Sequence, residues 1–273
     1  AAVVSNMTRG RSCSCLMAEK AETDVFPIDM GIACEVEHRG ELHPLTERKI
    51  RRGTSNFTKA AAMTRQEVLT AILTGIDAVR VLKAQGYRLS AVGEMGIGNT
   101  TTSSAVASVL LQKDPELVTG AGAGLDSAGL KRKTEAIRRG IGLHHPDPMD
   151  GMEVLQKVGG FDLAAMAGAF LGGAIYHVPV VIDGVIAAAA AAAAGRIAPA
   201  ATDYMLAAHV SAEPASIWLL DLIGVTPAIQ AGLRLGEGTG ALALFPLLDM
   251  ALSIYRDMDT FAEMEIEEYK PLV

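Results

Sequence analysis

The sequence predicts an α/β fold of Rossmann-like layout, a parallel sheet with helices on both faces, together with a smaller helical domain made from the chain ends. Three observations predict it. Short apolar runs alternate with long helical stretches, the order that crossover connections between parallel strands require. Turns rich in glycine stand directly before two of the helices, at 93–99 and 232–240. Half of the 273 residues are hydrophobic yet only 4% are aromatic, and 28 glycines and an eight-alanine tract suit closely packed helices around backbone-lined sites. A chain of this length buries a substantial core.

Residues 1–60 read as irregular and polar, with one apolar run, Val25 to Ile28, as a candidate strand. The chain opens Ala-Ala-Val-Val without an initiator methionine, so it is expected to begin inside an element of a longer parent. Thr64-Arg65-Gln66-Glu67 has capping-box spacing, in which hydroxyl and carboxylate each satisfy a free backbone donor, so a helix starts there. Val68, Leu69, Ile72, Leu73, Ile76 and Val79 recur on one face of it, and Gly86 stands where a left-handed cap closes it. Leu89 to Val92 follows as a strand, then the loop 93–99, then a helix over Thr100 to Leu111. The order recurs as a helix from Phe161 to Tyr176, the run Val178 to Ile182, Asp183-Gly184 and the alanine-rich helix. Tyr204 to Val210 is a further candidate strand, followed by a helix around Ile217 to Ile223 and a last one from Thr239 to Tyr255. Residues 25–240 are expected to form the sheet domain with the active site. Residues 1–24 and 241–273 are expected to supply the smaller helical domain, its N-terminal part incomplete.

A formal net charge of -7, from 24 Lys+Arg against 31 Asp+Glu, removes the long-range attraction that nucleic acid or an anionic membrane surface requires. Neither is expected as a partner. The most apolar tract, Val178 to Ala194, contains Asp183 and eight weakly hydrophobic alanines, so it reads as a buried helix rather than a span. Cys13, Cys15 and Cys34 supply at most half a zinc site, so no metal is expected and the thiols read as reduced, in a cytoplasmic protein with no leader. His144-His145 make a poor chelate and read as loop histidines.

Gly93-Glu94-Met95-Gly96-Ile97-Gly98-Asn99-Thr100 puts three glycines and the first hydroxyl of a run at a strand-to-helix turn. Two readings stand: an anion cradle, since a helix N-terminus presents unpaired N–H donors, or a tight turn with hydroxyl caps. The Lys of a Walker loop and the dinucleotide glycine spacing are both missing, which disfavours ATPase and hydride-transfer chemistry. Gly232 to Gly240 again brackets one acid, Glu237, before a helix. Glu94 and Glu237 could converge as base and orienter, and Glu237 reads equally as a first-turn acid complementing the helix dipole. Asp183 is either a ligand contact or, more simply, the N-cap of the alanine helix. Gly120 to Gly124 enters a helix carrying Lys131, Arg132, Lys133, Arg138 and Arg139, mostly a solvated face from which one base near the start could reach an anion.

Several stretches taken together resemble the nicotinate-nucleotide–dimethylbenzimidazole phosphoribosyltransferase family: K-I-R-R-G-T-S-N-F (49–57), A-M-T-R-Q-E (62–67), G-E-M-G-I-G-N-T-T-T-S-S-A (93–105), G-L-D-S-A-G-L-K-R-K (124–133), G-G-F-D-L-A-A-M-A-G (159–168), P-V-V-I-D-G (179–184) and L-R-L-G-E-G-T-G-A (233–241). The resemblance runs in order from about Asp29 to the C-terminus. It implies transfer of the phosphoribosyl group of nicotinate mononucleotide to a nitrogen of a lower-ligand base, without metal or cofactor, in cobamide nucleotide-loop assembly. Glu237 matches the family's catalytic base and Glu94 a second active-site acid. Gly96, Gly98, Asn99, Thr100, Gly122 and Gly124 match phosphate-binding loops, Lys133 a basic ligand-side residue, and Asp183 and Ser211 pocket residues. Met95 and Leu235 join them as substrate-binding positions. Members are longer at the N-terminus, and the second glycine loop, G-A-G-A-G, lacks the hydroxyls expected there. A homodimer is implied. A related branch pairs non-identical subunits on phenolic acceptors, so the alternative is a non-catalytic or phenol-directed partner subunit.

Overall fold

The computed structural model describes residues 1–36, 42–122 and 124–267. In chain order the helices and strands are α1 (Ala2–Thr8), α2 (Cys13–Lys20), β1 (Ile28–Asp29), β2 (Thr46–Glu47), α3 (Arg65–Ala84), β3 (Ser90–Ala91), α4 (Asn99–Leu111), α5 (Pro115–Val118), α6 (Ser127–His144), α7 (Gly151–Val158), α8 (Phe161–Tyr176), β4 (Val180–Ile182), α9 (Val185–Ile197), β5 (Met205–Ala207), α10 (Ser216–Ile223) and α11 (Thr239–Asp257). A 3-10 turn, Pro199–Tyr204, leads into β5. Ala123 of the second glycine loop and the end of the expected C-terminal segment, 268–273, lie outside the described residues.

The expected α/β class holds, with a small sheet inside a helix-rich chain. β3, β4 and β5 are parallel in that spatial order, Val180 opposite Ser90 and Met205, and Val181 opposite Ala91 and Leu206. Alternation along β4 sends its side chains to two helical layers. Val180 and Ile182 join the main core with α8 and α9, while Val181 meets Ala208 and the α11 residues Ala241 and Leu244. A second parallel pair, β1 with β2, stands apart from this sheet.

α9 explains the alanine tract. Ala187 to Ala194 are all 2% exposed or less, and the helix packs on α4, α7, α8 and α10 at once, which larger side chains would prevent. Larger groups fill the next shell: Leu163, Phe170 and Leu155 are fully buried, each worth about 1.5–3 kcal/mol by transfer. α3 begins as expected, with Thr64 Oγ1 accepting from Glu67 N–H and Glu67 accepting from Thr64 N–H. Gly86 follows its end with φ +97°.

The N-terminal third departs from the irregular reading. α1 and α2 are helices, and α2 packs on α11, so the two chain ends meet. Their signal is weak in sequence because each is only two turns long and the buried face of α2 is Ser14, Cys15 and Ala18, small and half polar. The strand expected at Val25 to Ile28 shrinks to Ile28–Asp29. His144 is not a loop histidine: it closes α6, and its Nε2 lies 2.8 Å from the Phe57 carbonyl. Among the described residues, no helix is long and apolar enough to cross a membrane.

Candidate active site

Two glycine turns meet at the C-terminal side of the sheet. The first leaves β3 and enters α4; the second enters α11. The Glu237 N–H donates to the Glu94 carbonyl at 3.1 Å. A Cβ placed on Gly93 would stand 2.6 Å from the Gly238 Cα and 2.7 Å from the Glu237 carbonyl carbon, so the backbones pass with no space for a side chain. A Cβ on Gly236 would stand 3.0 Å from Glu94 Oε1. The two glycine-flanked acids therefore belong to one place, 143 positions apart in sequence and side by side in space.

Asn99, the first residue of α4, ties in a third acid. Its Nδ2 donates at 2.6 Å to Glu94 Oε2 and at 2.7 Å to Asp162 Oδ2, so the two hydrogens of one amide serve two carboxylates. Burial pushes the Glu94 carboxyl up to about 7; the Asn99 bond and the Gly96 amide oppose this, and the charges of Asp162 and Asp183 reinforce it. The fold thus holds a proton on Glu94 that an unfolded chain releases near 4.5. Between those pH values the native state binds more protons, so this residue makes stability fall as pH rises. Replacing it with glutamine, Glu94→Gln, is expected to stabilise the fold at pH 8 by about 1–3 kcal/mol and to leave it unchanged at pH 4. Urea unfolding at the two pH values measures this; equal effects at both would remove the desolvation account.

Glu237 takes a left-handed backbone, φ +58°, which costs a non-glycine residue about 1 kcal/mol or more and is held here by the bond to Glu94. Its Oε2 accepts from the N–H and the hydroxyl of Ser14 in α2, each at 3.3 Å.

Asp183 corrects the sequence reading. It does not cap the alanine helix, whose N-cap is Gly184 and has no side-chain bond. Its carboxylate reaches the start of α11 instead, accepting from Gly240 N–H at 2.7 Å, Ala241 N–H at 3.1 Å and Gly238 N–H at 3.2 Å. The reason is topological: β4 ends beside the incoming turn, so the free amides of α11 are nearer than those of α9. Burial pushes Asp183 up, against the pull of those amides and of His209, whose Nε2 is 3.9 Å away.

The N-terminus of α4 is different. Its N-cap is Gly98, left-handed at φ +99° and without a side-chain cap; the Asn99 and Thr101 N–H groups bond back to the Gly96 and Gly98 carbonyls, which leaves the Thr100 amide of the first turn for a ligand. Next to it Lys133, 7% exposed, donates to Thr100 Oγ1 and to the Gly120 carbonyl, both at 3.0 Å, leaving a third ammonium hydrogen. Lys131, Arg132, Arg138 and Arg139 of the same helix are exposed. Gly122 and Gly124 have positive φ, +57° and +105°; the Gly122 N–H is held by Glu213 Oε1 at 3.2 Å, and Glu213 N–H is in turn held by Ser211 Oγ at 3.4 Å. Desolvation pulls the Lys133 pKa down, with Glu213 opposing.

The structure thus brings Glu94, Gly96, Asn99 and Glu237 together, with Asp183 behind the second turn. Gly98 and Thr100 continue into Lys133, Gly122 and Ser211. Met95 is half-buried in the first turn and Leu235 is exposed in the second. Sequence reasoning missed Ser14, Asp162, Glu213 and His209. Asp162 stood in G-G-F-D as an acid in the first turn of a helix, the one signal available; the others carry none.

The phosphoribosyltransferase family model matches residues 1–266. A relative from Clostridium acetobutylicum named nicotinate-nucleotide–dimethylbenzimidazole phosphoribosyltransferase is 44% identical over 272 residues, spanning 100% of this chain and 76% of its own length. The chain belongs to the nicotinate-nucleotide–dimethylbenzimidazole phosphoribosyltransferase family. A relative of the same name from Ruminiclostridium cellulolyticum is also 44% identical, over 99% of this chain and 76% of its own. The crystal structure of CobT from Thermus thermophilus superposes with a TM-score of 0.90 at 39% identity, covering 97% of this chain and 78% of that one. Family membership extends over α1 and α2, so the helix carrying Ser14 lies inside the matched region.

Proposed function

We propose that this chain transfers the phosphoribosyl group of nicotinate mononucleotide to a nitrogen of a lower-ligand base, dimethylbenzimidazole or a related acceptor, releasing nicotinate and forming the α-ribotide used in cobamide assembly. The observation that carries this reading is the meeting of the two glycine turns, which sets Glu237 and Glu94 beside the uncapped start of α4. Reaction and site correspond part by part. The bond from ribose C1 to the nicotinate nitrogen breaks with its electron pair leaving on nicotinate, and the acceptor nitrogen supplies the pair for the new bond. The acceptor's proton goes to Glu237, general-base help worth a factor of about 10²–10⁴. The Gly98 and Thr100 amides, with Lys133, hold the phosphate and fix the sugar for attack from the face opposite nicotinate, which inverts β to α. Gly122, Gly124 and Ser211 shape the far wall of that pocket, and Met95 and Leu235 give the base apolar contact. Asp183 serves the pocket from behind by ordering the turn that bears Glu237.

The acceptor must lose a proton while the leaving group needs none, so a carboxylate suffices as base and the reaction consumes no cofactor. A homodimer accompanies this reading. Leu247, Met250 and Ile254 form an exposed stripe on the outer face of α11, 44%, 56% and 61% exposed, an apolar surface of the kind that partners cover. The purified chain, supplied with nicotinate mononucleotide and dimethylbenzimidazole, is expected to release nicotinate on its own and to sediment at twice the chain mass. No release with any acceptor would overturn the activity and favour a partner subunit that needs a second chain.

A further inference from the structure

Ser14 sits at the second position of α2, 3% exposed, in a segment that sequence reading leaves without function. Its N–H and its hydroxyl point at the same atom, Glu237 Oε2, each at 3.3 Å across 223 residues of chain. The hydroxyl has one hydrogen to give, and its second neighbour, Ser12 Oγ, stands 2.7 Å away. Ser12, the N-cap of α2, accepts from the Cys15 N–H, and its one hydrogen has two acceptors in reach, Cys15 Sγ at 3.2 Å and the nearer, stronger acceptor Ser14 Oγ; given to Ser14, it leaves Ser14 to donate onward. The run Ser12, Ser14, Glu237 then has one consistent direction, ending on Glu237 Oε2. The backbone N–H of Ser14 can only donate, and it is one of the unpaired amides of a helix N-terminus, where negative charge is favoured.

We propose that Ser14 is a positioning residue for the transfer reaction: it clamps Oε2 of Glu237 so that Oε1 is the oxygen presented to the acceptor nitrogen. This rests on the reading of Glu237 as the base. Both donors of Ser14 act on one oxygen, and among the described residues no hydrogen bond falls on the other. An unclamped glutamate on a left-handed turn would sample several rotamers, and only some would aim an oxygen at the acceptor. The proton then lands on Oε1, while Oε2 keeps its donors throughout. The other charged groups around the turn are Arg234, exposed on the turn itself, Glu94, through its carbonyl and at Gly236, and Asp183, on the Gly238 amide. Cys15 is the nearby thiol of α2, its Sγ directed to the Met7 carbonyl.

The test is Ser14→Ala in the full chain, which removes the hydroxyl, keeps the backbone donor and suits a helix. Loss of one hydrogen bond to a charged group is expected to lower kcat about tenfold. KM for nicotinate mononucleotide should stay within about twofold, because Ser14 touches no part of the proposed phosphate pocket. The acid limb of the kcat profile should move to higher pH by about half a unit to one unit, since the ionised form has lost a donor. That midpoint is independent of the fraction of folded enzyme, so partial misfolding cannot mimic it. An unshifted limb, or an unchanged kcat, overturns the proposal. Glu237→Gln measured alongside separates the two claims: full activity in that variant removes the base itself, whereas a crippled Glu237→Gln beside an unshifted Ser14→Ala removes only the clamp.

Discussion

Glu237→Gln is expected to lower nicotinate release by about 10²–10⁴-fold while the protein folds normally. The two effects separate because they have different physical origins. Glutamine has the size of glutamate, keeps an acceptor for Ser14 and leaves the backbone bond from residue 237 to the Glu94 carbonyl in place. As a negative charge just before α11, Glu237 contributes at most about 0.3–1 kcal/mol against the helix dipole, so the unfolding midpoint should move by a few degrees at most. A rate loss of 10²–10⁴ corresponds to about 3–5 kcal/mol in the barrier. No dipole effect reaches that figure, and a lost proton acceptor does. Initial rates with saturating nicotinate mononucleotide and dimethylbenzimidazole, beside a thermal melt of the same sample, measure both. Activity within threefold of the parent would leave Glu237 as a helix-start acid, the simpler of the two readings its position allows.

Most of the scaffold was legible because it is written in local chemistry. The capping box at Thr64 to Glu67 and the apolar face of α3 need no tertiary information, and α8 begins at Phe161 and ends at Tyr176 as its hydrophobic run does. Gly93 and Gly238 were visible as turn residues for the same reason. What could not be read is what depends on the meeting of distant segments. Asp183 is adjacent in sequence to α9, yet it serves α11, because a carboxylate bonds the nearest free amides in space. Ser14 and Glu213 are ordinary polar residues of ordinary neighbourhoods until folding sets them against Glu237 and Gly122. Ser211 was expected as a pocket residue on resemblance alone. Its hydroxyl meets the Glu213 amide, one bond removed from the glycine loop. Sequence pattern finds the elements that carry a site; the partners that aim its side chains come from packing.

Gly93→Ala is the second large effect expected, and it tests whether the two turns act as one rigid body. The added methyl would stand 2.6 Å from the Gly238 Cα and 2.7 Å from the Glu237 carbonyl carbon, well inside van der Waals contact with backbone that has no rotamer to change. Relief must come from moving a turn. The second turn is pinned by Asp183 on the Gly238 amide at 3.2 Å and by the Glu237 N–H on the Glu94 carbonyl at 3.1 Å; the first is continuous with β3, whose neighbour Val92 donates to Val181 at 3.2 Å. Whichever gives way, Glu94 and Glu237 part by a sizeable fraction of an ångström. Displacements of about 1 Å cost on the order of 10²-fold when geometry supplies the rate, so kcat/KM should fall by about that factor. Overpacking of this kind also destabilises by about 1–3 kcal/mol. Gly86→Ala is the matched control. Its φ of +97° makes alanine unfavourable by about 1 kcal/mol, but nothing lies within 4 Å of the new methyl and no site residue is near it in the chain. It should therefore lose stability and keep its turnover per folded molecule. If Gly93→Ala behaves like that control, with kcat/KM preserved, the turns yield independently and the convergence of the two acids is not what sets the rate.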